Sequence, residues 1–269
     1  MKYIKLFENF ESEDKSMIDE LSSIFGFDVS IMTDVQRIIS KGPVGIQKWF
    51  EEEANKEEPN IPVINELLNQ GIEFDLMKEN IFYAAKNDKI GLLKILFENG
   101  ADINQKKGNG ENLLHEASAS DSIRVATFLI DRGIGLEDTY TEYMWTALHM
   151  ASWYGSIEVA KLLIERGAKL DCKDHKNYTP LHWAARYNQI KMTKLLLDNG
   201  ANIEARTTEK QTPLHIAVLG LSNSVIAELL RRGADISAKD EDQKTPWMLA
   251  DYNTKKLFYF GLQPTEENK

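Results

Sequence analysis

Residues 179–184 read Thr-Pro-Leu-His-Trp-Ala, and this pattern returns along the chain at nearly equal spacing. The alanine that ends each copy falls at Ala84, Ala117, Ala151, Ala184, Ala217 and Ala250, at intervals of 33, 34, 33, 33 and 33 residues. A second marker is the glycine that ends each apolar run, at Gly100, Gly133, Gly167, Gly200 and Gly233. Its intervals are 33, 34, 33 and 33 residues, so the one interval of 34 residues occurs at the same place in both series. Two unrelated markers with one period indicate an array of internal repeats.

Each unit is predicted to contain two short helices and a polar loop. In Thr179-Pro180 the threonine can cap a first helix, and proline suits the first turn because no backbone donor is needed there. The apolar run at 159–167, VAKLLIERG, predicts a second helix that its glycine ends in the left-handed conformation. Residues 201–211, ANIEARTTEKQ, are polar and suit a hairpin. One helix pair cannot bury its apolar side alone, so neighbouring units must stack.

The 33-residue period, the Thr-Pro-Leu-His-x-Ala motif and the Gly-Ala helix end together resemble the ankyrin repeat. The resemblance covers residues 62–262 and implies an all-α solenoid, in which helix pairs are joined by β-hairpin loops. A partial repeat that ends at Gly71 is expected before about five full repeats. A truncated unit with a short second helix follows at 245–262, and residues 263–269 are predicted to be a flexible tail.

Residues 1–61 are predicted to form an acidic helical cap. Residues 1–75 contain seven basic and sixteen acidic side chains, whereas the rest of the chain is nearly neutral. Three helix signals occur, at Ser16 with Asp19, at Thr33 with Gln36 and at Pro43. Such a cap would cover the apolar end of the first repeat. No family resemblance marks this part, so a separate docking site or a minor activity there remains an alternative.

Composition favours a cytoplasmic protein. Cys172 is the single cysteine, so no disulfide framework and no multi-cysteine zinc site is expected. The first residues lack the apolar run of a signal peptide, and no segment reaches the roughly 18 to 20 apolar residues of a membrane span. The net charge is −10, and no basic face that would bind nucleic acid is evident. We expect no membrane, no nucleic acid and no small-molecule substrate among the partners.

Four histidines occupy one position of the motif: His115, His149, His182 and His215. Equivalent positions in a stacked array lie about one repeat apart, so these rings cannot converge on one metal ion. The resemblance implies a structural role instead, in which the ring hydrogen-bonds the motif threonine and nearby loop backbone. The motif around His115 differs from the others, because Asn112 stands where the other units have threonine.

Cys172 and His175 lie outside the motif in one hairpin and form a Cys-x-x-His pair. Such a pair could bind a metal or activate a thiolate, and the alternative is a solvated loop tip. The chain has no G-x-G-x-x-G, Walker, H-E-x-x-H or G-x-S-x-G pattern. We therefore predict that the protein is not an enzyme, with no catalytic residue, no metal and no cofactor.

Aromatic residues are concentrated in one window, since eight of the fourteen Trp and Tyr residues fall between Tyr140 and Tyr187. Proteins of the resembled family usually bind partners through hairpin tips and the inner side of the first helix, and interface hot spots are enriched in aromatic residues and arginine. The predicted protein-binding residues are Tyr140, Tyr143, Trp145, Trp153, Tyr154, His175, Tyr178, Arg186 and Tyr187. The alternative is that some of these side chains pack among themselves. The hairpin before Thr146 is one residue longer and lacks a turn glycine, so we expect it to bulge and to present Tyr140 differently.

These observations predict a non-catalytic protein–protein interaction module or scaffold, which binds another protein through its concave face and hairpin tips. The alternative is an effector or adaptor directed to a host cytosol, with a separate docking site in its N-terminal region. Residues 1–10, MKYIKLFENF, also resemble the short N-terminal addresses of phage head-interior proteins. The partner's identity does not follow from the sequence, because a fold carries no general code for specificity.

Overall fold

The computed structural model describes residues 22–23, 29–70, 81–140 and 143–261. The predicted helix near Ser16, the loop after Gly71 and the tail at 263–269 lie outside the described residues. The first helices are Val29–Ile39 (α1), Gly42–Ala54 (α2) and Ile61–Asn69 (α3). Helix pairs follow at Ile81–Lys86 (α4) and Ile90–Glu98 (α5), Leu113–Ala119 (α6) and Ile123–Asp131 (α7), Ala147–Tyr154 (α8) and Ile157–Glu165 (α9), Pro180–Arg186 (α10) and Ile190–Asp198 (α11), Pro213–Leu219 (α12) and Asn223–Arg231 (α13), and Pro246–Leu249 (α14) and Tyr252–Gly261 (α15).

The chain divides into two compact units. The first comprises Met1–Ala84 and Lys89–Asp102, and the second comprises Ala85–Asp88 and Ile103–Lys269. The boundary between residues 61 and 62 that the sequence favours stays a prediction. Among the described residues, no helix is both long enough and apolar enough to cross a membrane.

In the first unit, α1 packs on α2 and α3, and α2 packs on α5. Gly91 at the start of α5 permits the close approach of α2, because an added Cβ would collide with the carbonyl oxygen of Lys56 and lie 2.8 Å from that of Glu53. Helix α2 therefore covers the second helix of the first repeat. The role of residues 1–61 as a cap stays a prediction. The predicted helix start at Thr33 is wrong, since α1 begins at Val29 and Thr33 lies within it.

In the second unit, the helix pairs stack in chain order. The first helices α6, α8, α10, α12 and α14 pack on one another, and so do the second helices α7, α9, α11, α13 and α15. The motif alanines Ala117, Ala151, Ala184 and Ala217 are completely buried. Their small side chains allow the first helices to lie close together, and close packing of helix faces forms the shared core.

The start and end of each helix pair follow the sequence signals. Thr179 caps α10 with extended backbone, and Pro180 occupies the first turn. Gly167, at the end of α9, has a φ of 90°, the left-handed conformation that a residue with a Cβ adopts only at a cost. The predicted short second helix of the last unit is wrong. There the first helix, α14, has only four residues because Ala250 turns to extended backbone, whereas α15 has ten.

Short hairpins connect the helix pairs. Within one hairpin the Asp174 N–H donates to the Tyr178 carbonyl oxygen at 3.0 Å. Successive hairpins are also joined, because the His175 N–H donates to the Tyr143 carbonyl oxygen at 3.1 Å and the Thr208 N–H to the Lys176 carbonyl oxygen at 3.0 Å. This ladder holds the hairpin tips in a row and fixes the spacing of the side chains that they carry.

Polar side chains also cap helices across repeats. Asp121 has a φ of 53°, and its Oδ1 accepts a hydrogen bond of 2.9 Å from the Val159 N–H in the first turn of α9. Asp88 makes the equivalent bond to the Val125 N–H at 3.0 Å. Each aspartate thus lies in a left-handed turn after its own first helix, and its side chain satisfies a free N–H group of the next repeat, which couples neighbouring units.

Candidate functional site

The motif histidines hydrogen-bond one repeat to the next. The Thr179 N–H donates to His182 Nδ1 at 3.0 Å, so the ring proton sits on Nε2, which donates to the Gln211 carbonyl oxygen at 3.2 Å. The corresponding carbonyl acceptors are those of Trp145 for His115, Tyr178 for His149 and Lys244 for His215. The predicted contact with motif threonine and loop backbone is present at all four positions, with Asn112 replacing threonine beside His115.

Burial determines the charge of these rings. It lowers the pKa of His149 and of His182 to about 4, because a charged imidazole would lose its hydration there. It also lowers the pKa of His115 and of His215. The rings are therefore neutral near neutral pH, in the tautomer that these hydrogen bonds require.

Cys172 and His175 do not form a joint site. Cys172 Sγ lies 3.4 Å from Thr146 Oγ1 and 3.7 Å from His149 Nδ1, whereas His175 Nδ1 lies 3.2 Å from the Tyr143 carbonyl oxygen. Burial raises the pKa of the Cys172 thiol to about 12, so the nucleophilic thiolate is scarce. The structure gives no support to the metal or thiolate interpretation of this pair. No cluster of three potential metal ligands occurs in the part of the chain that the structure describes.

The aromatic window forms one packed cluster, which we call the indole cluster after its three tryptophans, Trp145, Trp153 and Trp183. The ring centroids of these tryptophans are 4.6 to 4.8 Å apart. Tyr187 stacks on Trp153 at 4.6 Å, and Tyr178 lies 5.0 Å from Trp183. These rings therefore pack against one another, which was the alternative that the sequence left open.

Asp174 holds two of the three indoles of the cluster in place. Its Oδ2 accepts hydrogen bonds from Trp145 Nε1 and Trp183 Nε1, both at 3.2 Å. Its Oδ1 accepts the backbone N–H groups of Lys176 and Tyr178, both at 2.8 Å. Asp174 is buried, and four donors satisfy its two oxygens. One carboxylate thus fixes the hairpin conformation and the position of two indoles from different repeats.

The predicted binding residues divide by exposure. Tyr143, Tyr154 and Tyr187 are 46%, 56% and 41% exposed. His175 and Arg186 are exposed as well, and Trp153 and Tyr178 are half-buried.

Tyr140 and Trp145 correct the expectation that all nine positions face solvent, because they are only 6% and 7% exposed. Tyr140 packs edge-on to His115, with ring centroids 5.4 Å apart, and its hydroxyl lies 3.9 Å from Met150 Sδ. The bulge expected in this hairpin falls partly on residues 141–142, which lie outside the described ranges.

The exposed rings surround a pocket of about 550 Å³. All nine predicted residues line it, and so do four that the prediction omitted: Glu111, Met150, Lys176 and Trp183. Asp174 does not line the pocket, but it bonds two of the tryptophans that do, and the sequence prediction missed it as well. The sequence did contain a signal for Asp174. An aspartate stands five residues before the motif threonine in two units, Asp174 before Thr179 and Asp240 before Thr245.

The second unit is that of a helical repeat protein, in which each helix pair packs on its neighbours. A family model described as ankyrin repeats, in three copies, matches residues 81–174 and 169–240. This match spans more than half of the chain, so the protein belongs to the ankyrin repeat family. That membership supports a protein–protein interaction module, and the family is typically non-catalytic.

A partial similarity to an enzyme was also found. The chain is 34% identical over 82 residues to an L-asparaginase of Dirofilaria immitis. The matched segment covers 28% of this chain and 14% of that protein. The chain thus spans only a small part of the length of this relative, and the match carries no evidence for asparaginase activity.

Proposed function

We propose that the protein is a non-catalytic binding module or scaffold of the cytoplasm, and that its partner protein contacts the hairpin tips and concave face of the third and fourth repeats. The observation that carries the proposal is the exposure of Tyr143, Tyr154 and Tyr187 around a pocket of about 550 Å³. Large exposed apolar surfaces mark interaction sites on soluble proteins.

The arrangement suits an interface hot spot. The exposed tyrosines pack against the indole cluster, which mutual stacking and the hydrogen bonds to Asp174 hold in place, so little side-chain entropy is lost when a partner binds. Tyrosine, tryptophan and arginine are the residues that most often dominate binding free energy. Arg186 at the edge of the same pocket adds a charged group for orientation.

The test replaces the exposed rings and leaves the supporting layer intact. In the triple variant Tyr143→Ala, Tyr154→Ala, Tyr187→Ala, affinity for the partner captured from the native source should fall by about tenfold or more, since each hot-spot truncation costs above about 1 kcal/mol. The matched control is Tyr259→Ala, which removes a 64% exposed ring on α15, outside the pocket.

A photo-crosslinking amino acid at position 187 should link the partner, and the same group at position 259 should not. Circular dichroism must show that the triple variant retains its helices. Equal binding by the triple variant and the wild-type chain would refute the proposed surface.

A further inference from the structure

The acidic side chains at the pocket already have partners. Glu111, in the pocket wall, forms an ion pair with Lys107, whose Nζ lies 3.1 Å from Glu111 Oε2. Asp174, beneath the wall, is buried, and both of its oxygens accept two N–H groups each. Neither carboxylate is available to a ligand unless an existing interaction is broken.

The basic side chains at the same pocket are in the opposite situation. Lys176 and Arg186 line the pocket and are exposed. Neither forms an ion pair with any acidic side chain within the described ranges. This is notable in a chain whose 42 acidic residues outnumber its 32 basic ones. The charge that the pocket offers to an incoming group is therefore positive.

We propose that the segment bound in this pocket is an acidic peptide of the partner protein, with an aromatic or large apolar side chain adjacent to an aspartate or glutamate. The inference rests on the proposed function and names the chemistry of its partner. The apolar side chain would pack against the exposed rings of Tyr154 and Tyr187. The carboxylate would pair with the Arg186 guanidinium, whose planar donors suit two-point contact with a carboxylate, and with Lys176.

A cationic ligand fits this pocket less well. An aromatic cage places an ammonium group between ring faces, within about 6 Å of each centroid. The ring centroids of the three indoles are instead only 4.6 to 4.8 Å apart, which leaves no room for an ammonium group between these rings. The positive charges of Lys176 and Arg186 would also repel such a ligand.

Single-stranded nucleic acid could stack on the same rings, but it is disfavoured by charge. Binding to a nucleic-acid backbone draws its affinity from several Lys or Arg contacts with phosphates. This pocket offers two cations, Lys176 and Arg186, that have no ion-pair partner in the described part of the chain, and the net charge of the whole chain is −10. A short acidic segment needs no more than these two.

The experiment selects random displayed peptides on the full-length chain and, in parallel, on the charge-reversed variant Lys176→Glu, Arg186→Glu. The wild-type chain should enrich peptides with Asp or Glu beside Phe, Trp, Tyr or Leu, and the variant should enrich Lys or Arg at those places. An enriched acidic peptide should lose about two- to fivefold in affinity for each cation reversed, the range of an exposed ion pair. A Lys173→Glu variant, altered at an exposed position outside the pocket lining, is the matched control and should retain the acidic preference.

The outcomes separate this inference from the proposed function. Enrichment of basic, methyl-lysine-like or uncharged peptides, no enrichment at all, or an unchanged consensus after charge reversal would overturn the acidic-peptide inference. Tighter binding of oligo-dT than of the best acidic peptide, measured on the same chain, would overturn it in favour of nucleic acid. If selected peptides bind equally well to the Tyr143→Ala, Tyr154→Ala, Tyr187→Ala variant, the proposed surface itself is refuted. If that variant loses them while charge reversal has no effect, the surface stands and only the charge argument fails.

Discussion

The carboxylate of Asp174 accepts a hydrogen bond from the indole N–H of Trp145 at 3.2 Å, across a sequence separation of 29 residues. The same oxygen accepts the indole N–H of Trp183. This relationship links two hairpins to the aromatic surface above them. It also fixes Trp145 and Trp183, whose rings contact those of the exposed Tyr143 and Tyr187 respectively.

Asp174→Asn is expected to destabilise the chain by about 2 to 3 kcal/mol, because the amide group turns a donor toward N–H groups that need an acceptor. The free energy of unfolding from urea titration, followed by tryptophan fluorescence, measures this. Asp240→Asn is the matched control, because Asp240 Oδ1 accepts the Lys244 N–H at 2.8 Å in its own hairpin, with no tryptophan attached. Its cost should be smaller, and equal costs would show that the indole bonds contribute nothing.

Acid should destabilise the repeats through the motif histidines. The folded pKa of His149 and of His182 is about 4, below the ordinary 6.5. The stabilisation is therefore fully present above about pH 6.5 and is lost as the pH falls toward 4. Near pH 5 the unfolded chain binds almost two more protons at these rings, so the free energy of unfolding should fall by about 2 to 3 kcal/mol per pH unit.

The variant His182→Asn isolates one ring in that experiment. Its stability near neutral pH should be lower, because the bonds to Thr179 and to the Gln211 carbonyl are altered. Its pH slope should nevertheless decrease by about 1.4 kcal/mol per pH unit, the contribution of one proton. An unchanged slope would contradict the assignment of a neutral, buried His182.

Met144→Gly should stabilise the chain. Met144 has a φ of 56° and is 49% exposed, so glycine relieves the left-handed backbone and removes little packing. We expect a gain of about 0.5 to 1 kcal/mol, seen as a higher melting temperature. The reverse change, Gly110→Ala at the equivalent turn position with φ 88°, should lower the melting temperature. A loss of stability in Met144→Gly would show that its side chain packs in solution.

Gly91→Ala tests the contact between the N-terminal helices and the first repeat. A methyl group there would collide with carbonyl oxygens in the last turn of α2 and just after it, those of Glu53, Ala54 and Lys56, at a cost of about 1 to 3 kcal/mol. Thermal melting and faster amide exchange in α2 would report the loss. Gly108→Ala is the control, since nothing lies within 4 Å of an added Cβ there. If both variants melt alike, α2 does not pack closely on α5 in solution.

Local signals in the sequence were sufficient for the repeat architecture. The Thr179 cap and the glycine at the end of α9 are each fixed by backbone geometry within a few residues, so their spacing predicted the helix pairs. The last unit escaped this reasoning. A short second helix was predicted there, but the short helix is the first one, α14, which ends after four residues because Ala250 is extended.

The sequence by itself also located the aromatic window and the structural position of the motif histidines, because both recur or cluster along the chain. Only the tertiary structure decided which rings are covered. Tyr140 and Trp145 are buried because stacked hairpins bring them against Met150 and two other tryptophans, a result of contacts between repeats that no local pattern encodes. The full role of Asp174 depends on the same stacking. Three of its four donors lie within nine residues of it, but the fourth, Trp145 Nε1, belongs to the preceding repeat and reaches Asp174 only when the two repeats pack together.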